Sequence, residues 1–193
     1  MAQRYELSID VDNVVAIDTH VHIEVDDHGH NALSDVLVDA ASKYFKTDGP
    51  RPKLDDIAEL YRERKMAAVV FTVDASTSLG HAPNATEEIV EGAIRNNDVL
   101  IPFGSVDPLQ GKAAIDRARH LFEDYGVRGF KFHPTLQQHN GKGFFPMPDE
   151  WLAFLKADTI VAFFGYNESF DGPSKVGNFE AELDAWVQHS LSK

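Results

Sequence analysis

The stretch Val14-Val15-Ala16-Ile17-Asp18-Thr19-His20-Val21-His22 is the part of this sequence that determines the fold assignment. Its apolar, β-branched start predicts a strand, and two histidines follow at the carboxyl end of that strand. Successive side chains of a strand point to opposite faces, so Asp18, His20 and His22 are expected on one face. Two imidazoles at this spacing can hold one metal ion, whereas a solvated or core-satisfied histidine pair is the simpler alternative.

Short β-branched or aromatic runs alternate with helical patterns along the rest of the chain, which is typical of parallel βαβ architecture. Further strands are predicted over residues 67–73, 99–106, 127–132 and 159–166. Helices are predicted over residues 54–65, after a capping box at Asn84 and Glu87, along an apolar face that includes Ala118 and Phe122 and ends at Gly126, over residues 149–156, and at the C-terminus. The fold class is therefore α/β, a partial TIM barrel of about five strand-helix units, since the smallest closed barrels need about 200 residues.

The composition excludes several classes of function. The 193 residues include 31 acidic and 18 basic side chains, and the net charge of −13 disfavours nucleic acid and anionic membranes as partners. No cysteine is present, so a transition metal would have to be bound by histidine and carboxylate ligands. No stretch approaches the roughly eighteen apolar residues of a membrane span, and no export signal is recognised, so a cytoplasmic location is expected.

A second group of polar residues ends the predicted fourth strand, Gly129-Phe130-Lys131-Phe132-His133-Pro134. Strand alternation places Lys131 and His133 on the same face. A lysine that faces a barrel interior needs an ion pair, a bound anion or a role as a modified ligand. A salt bridge to an aspartate of a neighbouring strand is the alternative that implies no function.

The motifs over residues 17–22 and 126–134 resemble those of the amidohydrolase superfamily. More narrowly, residues 14–137 resemble the branch of aminocarboxymuconate-semialdehyde decarboxylase and related metal-dependent hydrolases, amidohydrolase family 2. The resemblance implies a distorted (β/α)₈ barrel with one divalent metal, most often zinc, and a small-molecule substrate. It implies a metal-dependent hydrolase that attacks a small carboxylated or aromatic-derived metabolite with metal-activated water.

Roles for the candidate site residues follow from the same resemblance. His20 and His22 are the implied metal ligands. Lys131 matches the lysine position of the fourth strand, and we predict that Lys131 and His133 are catalytic residues. Asp18 precedes the histidine pair and is expected to orient an imidazole ring without binding the metal itself.

Residues that follow the other predicted strands are weaker candidates. His81 and Asp107 are predicted to contact the substrate, with an exposed loop position and a helix cap as the respective alternatives. The acidic stretch over residues 24–27, together with His28 and His30, either extends the metal site or forms a solvated loop.

The C-terminal part of the sequence departs from the family pattern. Relatives have a histidine at the end of the next strand and a metal-binding aspartate on the last one, whereas residues 160–166 here are apolar and aromatic. Asp171 is a candidate replacement for that aspartate. The chain is interpreted as a single domain, with an amidohydrolase-like front half over residues 14–137 and a divergent segment over residues 138–193.

Two alternatives to the hydrolase follow from this departure and from the resemblance. One is a decarboxylase or hydratase of the same superfamily. The other is a truncated, catalytically incomplete relative that acts as an oligomeric binding module. Because an open parallel sheet has two edges with unpaired backbone groups, a homo-oligomer is expected.

Overall fold

The computed structural model describes residues 3–46, 49–133, 136–139, 142–143 and 176–191. The chain divides into two compact units, Met1–Gly143 and Phe144–Lys193. The predicted helix over residues 149–156, the predicted strand over residues 159–166 and Asp171 lie outside the described residues. None of the described helices combines the length and the apolar character that a bilayer crossing requires.

Three parallel strands form the main sheet, in the order β1 (Ala16–His22), β2 (Met66–Phe71) and β3 (Leu100–Pro102). They confirm the first three predicted strands, although β3 is much shorter than the predicted residues 99–106. A separate antiparallel hairpin consists of β4 (Gln138–His139) and β5 (Lys142–Gly143). The described residues therefore form a parallel α/β sheet that is consistent with part of a barrel.

The predicted fourth strand over residues 127–132 is reduced to a single parallel bridge between Gly104 and Phe130. Arg128 donates its backbone N–H to Pro102 O at 2.9 Å, and Gly104 donates to Gly129 O at 2.8 Å. A proline has no N–H, so Pro102 cannot donate the bond that would begin a regular ladder on this side of β3. The fourth segment lies beside β3 without forming a full strand.

Helices connect and follow these strands. They are α1 (Asp35–Phe45), α2 (Leu54–Glu63), α3 (Ser76–Leu79), α4 (Thr86–Arg95), α5 (Lys112–His120) and α6 (Val176–Leu191). A π-helical turn, Leu121–Tyr125, continues α5, and Gly126 ends it in the predicted left-handed conformation with φ 76°. This wider turn changes the side-chain spacing, so Phe122 is 52% exposed instead of lying in the predicted apolar face.

β2 lies at the centre of the hydrophobic core. Its side chains from Ala67 to Phe71 are all buried, as expected for a parallel strand that is covered on both faces. The apolar side of α2 contributes Leu54 and Ile57, and α4 contributes Ile89. Helical spacing predicts Ile57 and Leu60 on the apolar face of α2 and Ile89 on that of α4. Ile57 and Ile89 are confirmed as buried, whereas Leu60 is 44% exposed.

The predicted capping box at the start of α4 is wrong. Ala85 occupies the N-cap position, and no side-chain bond caps the helix. Asn84 is buried and donates from Nδ2 to the backbone oxygen of Ile23 at 3.3 Å. The Asn84 side chain therefore bonds to the segment that follows β1 and does not cap α4.

β1 is the exposed edge of the described sheet. Among the described residues it pairs only with β2, and Ile17 is 43% exposed. An edge strand presents backbone groups that a second chain can use. The predicted homo-oligomer is consistent with this edge and stays a prediction.

The N-terminal segment is anchored to the sheet by Tyr5. This side chain is 1% exposed, and its hydroxyl donates to Leu100 O at 2.7 Å. The Tyr5 backbone N–H donates to Tyr125 O at 2.9 Å, which brings the Tyr5 carbonyl close to Gly126. A Cβ atom at Gly126 would lie 2.9 Å from that carbonyl oxygen.

Gly126→Ala is therefore expected to lower the free energy of unfolding by about 2–4 kcal/mol. The left-handed backbone costs an L-residue roughly 1–2 kcal/mol, and the clash with Tyr5 O adds to it. Gly80→Ala is the matched control, because Gly80 has a similar φ of 63° with nothing within 4 Å of its Cβ position. Urea denaturation measures both variants, and equal losses would contradict the predicted clash.

Candidate active site

β1 brings the rings of His20 and His22 together. Their Nε2 atoms are 3.1 Å apart, and their ring centroids are 5.1 Å apart. Both rings contact Phe71, with centroid distances of 5.5 and 5.0 Å. Two nitrogens bound to one tetrahedral zinc ion at about 2.0–2.1 Å are separated by about 3.3 Å. The two Nε2 atoms are within hydrogen-bond distance of each other, and their separation is close to that of two nitrogens on one zinc ion. Metal binding by this pair stays a prediction.

An extra residue in β1 determines which face of the sheet carries the histidines. The register pairs Asp18 with Ala68, Val21 with Val70 and His22 with Phe71. β1 thus advances three residues where β2 advances two, which is a β-bulge. Paired residues share a face, so His22 lies on the face that carries Phe71, here called the inner face, and Asp18 lies on the opposite one. The predicted common face of Asp18, His20 and His22 is wrong for Asp18.

Asp18 bonds to the strand backbone and to α2. Its Oδ1 accepts the backbone N–H of His20 at 2.9 Å, and its Oδ2 accepts the hydroxyl of Tyr61 at 2.6 Å. Burial and this hydrogen bond raise the pKa of Tyr61 to about 12, so the hydroxyl keeps the proton that it donates. The sequence predicted that Asp18 orients an imidazole ring, whereas these bonds hold the backbone beside the bulge.

Lys131 approaches the histidine pair from the segment beside β3. Its Nζ lies 3.3 Å from His20 Nε2 and 5.1 Å from the centroid of the Phe71 ring. Burial lowers the pKa of Lys131, because the charged ammonium loses water. Within the described ranges no ion pair joins Lys131 to a carboxylate, so the alternative of a salt bridge to a strand aspartate is not observed there.

The same surroundings favour neutral imidazoles. The His22 side chain is exposed on one side. Burial of the rest of the ring, followed by the charges of Lys131 and of two neighbouring histidines, lowers the pKa of His22 to about 4. Burial and the charge of Lys131 also lower the pKa values of His20 and His133. Neutral imidazole is the form that binds a metal ion.

Two imidazoles are the metal donors that this site brings together. Across the segments that the structure describes, no group of three or more His, Cys, Asp or Glu side chains is placed to hold a metal ion. A catalytic zinc ion generally has three protein ligands. The pair of His20 and His22 therefore fits two positions of such a site.

Asp107 caps a turn. It is 1% exposed, and its two oxygens accept the backbone N–H groups of Leu109 at 2.9 Å and Thr77 at 2.7 Å. The first of these bonds caps the 3₁₀ turn Pro108–Gln110. Both oxygens are thus engaged by backbone N–H groups, as the cap alternative implies, because a buried carboxylate needs such donors. The substrate contact stays a prediction.

His81 joins two loops. Its Nε2 donates to Asn31 O at 2.9 Å, and its ring stacks on that of His30 with the centroids 5.3 Å apart. His30 in turn donates from Nε2 to Ala82 O at 3.1 Å. These reciprocal contacts cross-link the loop after β1 with the loop before α4, a role that the sequence did not predict for His81.

The acidic stretch after β1 forms a bonded loop. Asp26 Oδ1 accepts the backbone N–H groups of His28 at 2.9 Å and His30 at 2.7 Å, and Glu24 pairs with Arg51. Asp26 is therefore bonded within the loop, and Glu24 is bonded to a residue that precedes α2. The loop alternative is thus observed, and the predicted extension of the metal site is not seen among the described residues.

Gln137 is a site-forming residue that the sequence did not reveal. Its side chain is fully buried, and Oε1 accepts the backbone N–H of His133 at 2.7 Å. Its Nε2 donates to Asp74 O at 2.8 Å and to Val106 O at 3.1 Å. Gln137 therefore ties together the segments that follow β2 and β3 and the segment that carries Lys131. A lone glutamine in a region rich in glycine and proline gives no local signal for this role.

One family model matches most of the chain. Residues 17–164 match the model described as amidohydrolase, and the matched region contains both the histidine pair and the Lys131 segment. The match continues past residue 137, where the resemblance inferred from the sequence ended. Comparisons with curated proteins and with solved structures gave no match.

Gln137→Met should lower the free energy of unfolding by about 2–4 kcal/mol, because it leaves one N–H and two carbonyl groups without their buried partner. The substitution nearly preserves side-chain volume, so a packing loss contributes little. Gln110→Met is the control, since Gln110 is exposed. Urea denaturation of both variants is the measurement, and a Gln137→Met protein as stable as the control would refute the role of the side-chain ties.

Proposed function

Because the chain belongs to the amidohydrolase family, we propose that it is a metal-dependent hydrolase that acts on a small carboxylated compound. The observation that carries the proposal is the 3.1 Å separation of His20 Nε2 and His22 Nε2. This separation is close to the one of about 3.3 Å between two nitrogens bound to one tetrahedral zinc ion. Hydrolysis is proposed ahead of decarboxylation or hydration because the matched family is described as amidohydrolase.

His20 and His22 would hold the metal, and we propose zinc because both donors are imidazoles in a chain without cysteine. When bound, such an ion lowers the pKa of a water ligand and polarises a substrate carbonyl. The two imidazoles are kept neutral and in contact with Phe71, which shields one side of the pair from water.

Lys131 is proposed to bind the carboxylate of the substrate. Its ammonium lies within 3.3 Å of the histidine pair, and within the described segments no carboxylate neutralises it. The inner face thus has a locally positive site on a chain with a net charge of −13. A bound anion stabilises a partly buried ammonium more than it stabilises an exposed lysine, because less water screens the attraction between the charges. His133 ends the same segment and is the proposed acid-base group.

A catalytically incomplete relative is the second candidate function. It is favoured by the donor count, because the described residues supply two imidazoles where a catalytic zinc ion takes three protein ligands. A two-donor site binds metal weakly and does not by itself support turnover. Metal content distinguishes the two candidates.

The hydrolase proposal predicts that purified protein incubated with zinc and passed through a desalting column retains about one ion per chain, whereas a site of two donors alone would lose it. His20→Ala and His22→Ala should each retain less than about a tenth of that amount, because each removes half of the observed donor pair. His28→Ala is the control, since His28 is an exposed histidine of the loop after β1. Elemental analysis gives the content. Zinc retained by His20→Ala would contradict the metal site, and no tight zinc in the parent protein would favour the incomplete relative.

Lys131→Met should weaken the binding of benzoate by about tenfold or more, since a charge-assisted hydrogen bond is lost. Benzamide serves as the neutral probe, and its binding should not change. Lys112→Met removes the same charge from an exposed position and is the matched control. Isothermal titration calorimetry measures both probes. Equal benzoate affinities of the parent protein and Lys131→Met would rule out the proposed carboxylate contact.

A further inference from the structure

The extra residue in β1 changes which side chains of this strand reach the inner face. Before the bulge, Ile17 pairs with Ala67, on the same face of β2 as Phe71. In an unbroken register that face would carry Ile17, Thr19 and Val21, and both histidines would point toward α2. The extra residue reverses the alternation and brings the histidine rings into contact with Phe71.

The bulge is held by a hydrogen-bond relay that begins on a helix. Where the register shifts, Asp18 Oδ1 accepts the backbone N–H of His20 at 2.9 Å. The Tyr61 hydroxyl donates to the second oxygen of Asp18 at 2.6 Å. Tyr61 belongs to α2, whose Leu54 and Ile57 are buried in the core, so the relay connects the bulge to a firmly packed element.

We infer that Tyr61 is a positioning residue, which acts through Asp18 to hold the β1 bulge and thereby keeps His20 and His22 on the inner face. The placement of the two rings follows from the register and the relay alone. Its consequence for metal binding rests on the proposed function.

Amide hydrogen exchange in the metal-free protein tests the placement. Tyr61→Phe removes the hydroxyl and keeps the ring, so the exchange rate of the His20 amide should rise about tenfold relative to that of the Val69 amide in β2. Tyr5→Phe is the matched control, because it also removes one tyrosine hydrogen bond but does so at the N-terminal anchor. An unchanged His20 rate in Tyr61→Phe, or an equal rise in Tyr5→Phe, would overturn the inference.

A double-mutant cycle tests whether Tyr61 acts through Asp18. Asp18→Ala removes both bonds of the relay and should raise the His20 exchange rate at least as much as Tyr61→Phe. When Asp18 is already alanine, Tyr61→Phe should change the rate less than twofold, since the two residues then share no partner. Independent effects that multiply in the double variant would show that Tyr61 does not work through the carboxylate.

Cobalt(II) titration separates the inference from the proposed function. If the positioning role of Tyr61 and the metal-dependent function both hold, the parent protein and Tyr5→Phe bind cobalt equally, and Tyr61→Phe binds it about tenfold more weakly. Cobalt affinity that is unchanged in Tyr61→Phe contradicts the positioning role. A parent protein without cobalt affinity contradicts the metal-dependent function, and the exchange rates then decide the placement of the histidines by themselves.

Discussion

The single residue inserted between Asp18 and Val21 is the constraint on which the candidate site depends. A strand alternates strictly, so a shift of one residue moves every later side chain to the other face of the sheet. Such an insertion interrupts the ladder and leaves a backbone N–H to be bonded elsewhere. Here Asp18 Oδ1 accepts the backbone N–H of His20 within the bulge, and the half-buried carboxylate is itself stabilised by a second donor, Tyr61. The histidine pair is thus held by side chains on the opposite face of the sheet.

The inner face combines a cation with two metal-type donors, and this combination limits how the site can work. Lys131 Nζ and a metal ion both require the region around His20 Nε2, because the lysine lies 3.3 Å from that atom. A bound ion would repel the ammonium, and burial already lowers the pKa of Lys131. If the proposed function holds, an anionic substrate would relieve the repulsion between the two positive groups. The proposed metal and the substrate carboxylate would then favour each other's binding, since each lowers the electrostatic cost of the other.

Apolar periodicity was sufficient to predict the elements whose side chains pack into the core. β2 and the buried positions of α4 follow directly from their sequence patterns, and the histidine pair lies at the predicted end of β1. The errors fall where a tertiary contact overrides a local rule. Asn84 stands in the sequence context of a helix cap but bonds to Ile23. Asp18 is an even number of residues from His20 and His22, yet the bulge that follows Asp18 places it on the opposite face of the sheet. A bulge is defined by two strands, so the spacing within β1 could not predict it.

Side-chain bonds supplement the backbone pairing where the sheet is irregular, and the Lys131 backbone N–H itself still donates to Gly104 O at 2.9 Å. Pro102 interrupts the donors of β3, and the Lys131 segment retains one parallel bridge. Ser105 Oγ accepts the backbone N–H of Asp74 at 2.8 Å and donates to Lys131 O at 3.2 Å. Gln137 adds bonds to the segments after β2 and β3 at the same end of the sheet. The position of Lys131 relative to the histidines therefore depends on buried polar side chains, each of which is costly to leave unpaired and so fixes one arrangement of the strand ends.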